Sequence, residues 1–255
     1  MSRWASYLVI SALVLTTSAF AGSIIVNNDE WSLSNAGFSS AGVANGTNFA
    51  QNAAQFLTGG PSGGTTKIWI DSGNFGLAGS NLMSSLSAYS LTDTGSFSTF
   101  TLANLQGYSA VFLGGDNLTA AEESALVSYI SGGGNVYIAA GTGSISGGSA
   151  GEAAQWNAVL NSFSLNLAST YNGISGNIAT NSASPILNGV TQLYYDNGNS
   201  VSVTGANAQI ITQTGGQGLI GVYSTSTSSA PEPSTAILIV AAFAGLGVFK
   251  ARRRS

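Results

Sequence analysis

The chain has 255 residues, a net charge of −4, only 6% charged side chains, and neither cysteine nor histidine. Those counts exclude disulfide staples, thiol chemistry, imidazole acid–base catalysis and metal sites built on Cys or His. Five of the six cations sit in the terminal segments, so between Gly22 and Ala230 Lys67 alone faces nine acids. A body of net charge −8 cannot replace the counterions of a phosphate backbone, which excludes nucleic-acid binding.

Read in chain order, Arg3 precedes an apolar run from Tyr7 to Leu15, and Ala19-Phe20-Ala21 has the small-x-small form of a signal-peptidase site. Residues 1–21 are therefore expected to be a signal peptide, handed to the secretion machinery and cut after Ala21. The exported body, 22–223, is long enough for one hydrophobic core without a covalent staple. Thr47 to Leu57 places Phe49, Ala53, Phe56 and Leu57 on one helical face, ended by Gly59-Gly60. Lys67 to Asp71 reads as a buried strand between glycines, and Leu77 to Leu86 as a helix.

Ala110 to Leu113 is a core strand. Thr119 and Glu122 form a capping box for a helix through Ile130, and Gly132-Gly133-Gly134 stops it before a strand over Asn135–Ala140. That is a βαβ unit, whose right-handed crossover makes the strands parallel. A helix follows over Glu152–Phe163, then strands at Ser200–Val203, Gln209–Thr212 and Leu219–Tyr223. Residues 224–230 are a Ser/Thr linker.

The tail has three ordered parts: Pro231-Glu232-Pro233, an uncharged apolar segment over 234–249, and a basic stop of Lys250, Arg252, Arg253 and Arg254. At about 1.5 Å per residue the segment is at the lower limit for a ~30 Å hydrocarbon core, with the cations snorkelling to the interface. The cations put the C-terminus in the cytoplasm.

This tail resembles the PEP-CTERM sorting signal of Gram-negative bacteria. The resemblance, confined to the last tenth of the chain, implies recognition of Pro231, Glu232 and Pro233 by an exosortase, an integral-membrane peptidase. It implies transient anchoring in the inner membrane, then a place in the cell envelope, at the surface or outside the cell. It also implies an exopolysaccharide or biofilm-matrix setting. Between Lys67 and Tyr223 the body resembles the class I glutamine amidotransferase-like fold, through Gly107–Gly115, Gly132–Ile138, Ser184–Val190 and Gln217–Tyr223. The expected fold is a single flavodoxin-like or amidotransferase-like α/β domain with a mostly parallel sheet.

Catalytic members of that family carry a cysteine on the turn after the strand at Asn135–Ala140, with a histidine partner. Here the turn is Gly141-Thr142-Gly143-Ser144, and a hydroxyl there has only Lys67 as a nitrogen base. The expectation is no enzyme, hence a pseudoenzyme, with no cofactor. Asp71, Asp116 and Glu30 fall at strand ends or loops, where α/β sheets gather ligands. Asp71-Ser72-Gly73-Asn74 and Asp196-Asn197-Gly198-Asn199 make Asp71 and Asp196 the calcium candidates, but neither stretch has EF-hand spacing, and Asx-Gly turns explain both without metal. Trp31, Tyr171, Tyr194 and Tyr195 are aromatics outside the strongest core patterns. The sequence thus points first to a non-catalytic exported envelope protein. The alternative is a carbohydrate-binding or carbohydrate-active α/β domain using loop carboxylates and aromatics.

Overall fold

The computed structural model describes residues 22–72, 76–77, 79–94, 98–115, 117–141, 143 and 145–225. The chain divides into two units after Ser224, and of the second only Thr225 is among the described residues. Ala19, Ala21, Pro231, Glu232, Pro233, the segment 234–249, Lys250 and Arg252 to Arg254 lie outside them, as do Asp116, Thr142 and Ser144. Among the described residues no helix is long and apolar enough to cross a membrane.

The first half alternates strands and helices: β1 (Ile24–Asn27), α1 (Asn35–Ala41), α2 (Val43–Thr58), β2 (Lys67–Ser72), α3 (Ser80–Ser85), β3 (Ser90–Asp93), α4 (Leu102–Leu105), β4 (Ala110–Gly114), α5 (Ala120–Ser131), β5 (Val136–Ala139) and α6 (Gly148–Leu160). The second half is rich in strands: β6 (Leu165–Tyr171), β7 (Ser175–Ala179), β8 (Gln192–Asp196), β9 (Asn199–Val203), β10 (Ala208–Thr214) and β11 (Gln217–Tyr223).

The molecule is mixed α/β. Five mutually parallel strands in the order β3-β2-β4-β5-β1 form the larger part of the main sheet. It continues antiparallel through β11, β9 and β6, with β10 also on β11, while β7 and β8 make a separate two-stranded sheet. The expected βαβ unit is β4-α5-β5, and its strands are parallel.

Period-two alternation divides the parallel strands between two cores. Ile25, Ile68, Ile70, Phe112 and Tyr137 face one side, with α2 residues Phe49, Ala50, Ala53 and Leu57. Ile24, Val26, Trp69, Val111, Leu113, Val136 and Ile138 face the other, with Leu126 and Ile130 of α5 and Trp156 and Leu160 of α6. A sheet buried on both faces requires the near-continuous apolar runs that made β2, β4 and β5 readable.

Two expected boundaries move. The helix expected over Leu77–Leu86 is only Ser80–Ser85, with Leu77 buried outside it. The helix expected from Glu152 starts at Gly148, after Gly147 in a left-handed conformation at φ 90°, and its end over Asn161–Phe163 is 3-10. The chain enters and leaves the sheet side by side, Ile24 pairing with Tyr223.

Candidate functional site

Ligands of open α/β sheets gather at the carboxyl ends of the parallel strands. Every described acid lies on that side of this molecule. Asp29 and Glu30 follow β1, Asp71 and Asp93 lie near the ends of β2 and β3, Glu122 and Glu123 open α5, and Glu152 lies in the first half of α6. Asp196, at the end of β8, donates its amide N–H to Asp29 Oδ2. Lys67 opens β2 at the opposite, amino end, whereas Gly141 and Gly143 follow the carboxyl end of β5. The strand directions therefore separate Lys67 from Gly141 and Gly143, while Thr142 and Ser144 lie outside the described residues.

Asp29 is the centre of the first acidic group. Its Oδ1 accepts the Trp31 amide at 2.8 Å, so the carboxylate caps the 3-10 turn Glu30–Leu33, and its Oδ2 ties that turn to β8. Burial outweighs these two hydrogen bonds and, with the charges of Asp196 and Glu152, pushes its pKa up to about 7. Next to it, Asn27 Nδ2 donates to the hydroxyl of Tyr137 at 3.1 Å. Burial holds the Tyr137 and Tyr195 phenols well above their ordinary range.

Asn28 is fully buried, and neither end of its side-chain amide has a hydrogen-bond partner. A Cβ on Gly198 would overlap its carbonyl oxygen, as would one on Gly141. The turn between β8 and β9 is therefore pressed against the end of β1, and only glycine fits there.

Asp71 is the centre of the second group. Its Oδ1 accepts from Thr94 Oγ1 at 2.7 Å and from the Ser98 amide at 3.0 Å, while its buried Oδ2 has no partner. Burial raises its pKa, with Glu122 and Asp93 adding in the same direction. Glu122 makes the expected capping box. Its Oε2 accepts from the Thr119 amide at 2.8 Å and Thr119 Oγ1 at 2.7 Å, and its Oε1 also takes the Phe100 amide at 3.2 Å.

The two calcium candidates are not brought together. Asp71 is buried on the main sheet, whereas Asp196 is exposed on the two-stranded sheet, its Oδ1 accepting from Ser175 Oγ at 2.9 Å. Among the described residues no three acids are grouped so as to hold a metal ion. Of the four singled-out aromatics, Tyr195 is fully buried, Tyr194 and Trp31 pack edge-to-face at 6.0 Å, and Tyr171 is exposed. Sequence reasoning passed over Asn28, Asp29 and Glu152. The polar run Asn27-Asn28-Asp29-Glu30 straight after three apolar residues was the available signal. No family model matches the chain, and no curated protein or solved structure matches it either.

Proposed function

We propose that this is a non-catalytic exported protein of the cell envelope, sorted through its C-terminal tail by an exosortase-type peptidase. One observation carries the non-catalytic half of this reading. Of the acids at the ligand-binding end of the sheet, Asp29, Asp71 and Glu122 are bound to backbone amides of Trp31, Asp196, Ser98, Phe100 and Thr119. Such carboxylates hold loops in place, which accounts for their position at this end of the sheet without a substrate.

The strand order supports a flavodoxin-like frame: β2 to β5 take the first four places of the doubly wound order 2-1-3-4-5, while the fifth place is filled by β1, which comes first in the chain. The export half rests on the signal peptide, the Pro231-Glu232-Pro233 tail and the basic stop.

The deciding measurement is the intact mass of the protein from fractionated native cells. A product that begins at Gly22, ends near Pro231-Glu232-Pro233 and is recovered from the surface or medium is expected. A mass extending to Ser255 in the inner membrane would reduce the tail to a plain single-pass anchor.

A further inference from the structure

The crossover from β3 to β4 contains α4, a helix of only four residues, where a doubly wound sheet ordinarily places a full covering helix. Among the described residues, that face of β2 and β3 buries Trp69 but leaves Lys67, Ser90 and Thr92 exposed. The register pairs Lys67 with Ser90 and Trp69 with Thr92, so these side chains share that face. Leu91 points the other way and packs into the core on the opposite side.

The result is a cleft of about 710 Å³, floored by Trp69 and the hydroxyls of Ser90, Thr92 and Thr94, and walled by Asn104 and Tyr108. Its size is that of a small-molecule site. Trp69 is stacked on Tyr108 at 5.3 Å and held edge-on by Phe100 at 6.1 Å. The Trp69 Nε1–H has no acceptor, although the residue is 5% exposed. Buried donors rarely go unpaired, and this one belongs to a residue that lines the cleft, its nitrogen just beneath the surface.

We propose that this cleft binds a glycan chain carrying an acidic substituent. A pyranose ring offers an apolar face for the half-buried ring of Tyr108 and hydroxyls that both donate and accept, which a row of Ser, Thr and Asn side chains complements. The body's net charge of −8 repels a polyanion at long range, but salt screens that field. Lys67, the only described cation, stands exposed at one end of the cleft, away from Asp71 beside Thr94 and Ser98 at the other. An acidic group on the glycan therefore pairs with Lys67. The aromatics and hydroxyls involved differ from Trp31, Tyr171, Tyr194 and Tyr195.

The test uses the full chain in detergent, titrated by calorimetry and tryptophan fluorescence with two probes. One is a hexasaccharide of alternating glucose and glucuronate, and the other is neutral cellohexaose. The acidic hexamer is expected to bind and to shift the tryptophan emission. Tyr108→Ala should weaken it about tenfold. Lys67→Gln should bring its affinity down to that of the neutral hexamer, as should high salt. Because Tyr108 supports Trp69, Thr92→Phe supplies a second variant, filling the cleft from an exposed position without disturbing the core. Absence of binding to the acidic hexamer overturns the proposal. So does binding that survives Tyr108→Ala and Thr92→Phe, or capture of an extended peptide along β3 in place of sugar. Binding by purified protein is independent of sorting, so either proposal can fail while the other stands.

Discussion

Because burial outweighs the two amide hydrogen bonds that Asp29 accepts, its folded-state pKa is about 7 against an ordinary 3.8. The folded state then holds a proton that the unfolded chain releases, and the associated stability is fully present below about pH 4 and lost as pH rises towards 7. At about 1.4 kcal/mol per pH unit the upper bound is roughly 4 kcal/mol. Asp71, also raised by burial, acts in the same sense. Urea midpoints are therefore expected to be higher at pH 5 than at pH 8. Asp29→Asn should lose most of that difference, although it is less stable at both values because its NH2 faces an amide donor. A wild-type midpoint that rises with pH would contradict this account. Asp71 was visible in the sequence as an acid ending an apolar strand. The pairing of Asp29 with Asp196 was not, because the two meet only once the strand-rich second half folds back. Gly198→Ala tests that contact directly: its methyl would strike the Asn28 carbonyl, at a cost of about 1–3 kcal/mol in unfolding free energy.

At the scale of elements, the βαβ unit was legible because each part carried its own signal: apolar runs for β4 and β5, Thr119 and Glu122 to start α5, glycines to end it. The two capping residues separate by their number of partners. Thr119→Ala removes one side-chain acceptor at an exposed position and should cost about 1 kcal/mol. Glu122→Ala strands the amides of Thr119 and Phe100 and should cost about 2–3 kcal/mol, measured by the same unfolding curves. Equal costs would mean that the link to Phe100 is worth nothing. What escaped the sequence was short or two-sided polar. β1 has only three apolar residues before Asn27, and β3, with Ser90, Thr92 and Asp93 exposed, lacks a buried face long enough to give a pattern. β7 alternates exposed and half-buried residues, which resembles a loop in one dimension.

For the whole molecule, β11 is the element on which closure depends, since it pairs with β1 on one side and β10 on the other and reaches β9 further along. A chain stopped after Thr214 is expected to show no cooperative unfolding transition, whereas one stopped after Ser224 should match the full chain within about 0.5 kcal/mol. The α/β class was legible from the strand–helix alternation, but the antiparallel extension was not, because pairing partners such as Ile24 and Tyr223 are separated by about 200 residues. The position of Tyr223 also decides how the body would respond to mechanical load. If the chain is held by its tail, tension enters at the end of a strand flanked by neighbours on both sides. It then acts along β11, straining two ladders of hydrogen bonds together in shear, whereas an edge strand could be peeled away one bond at a time.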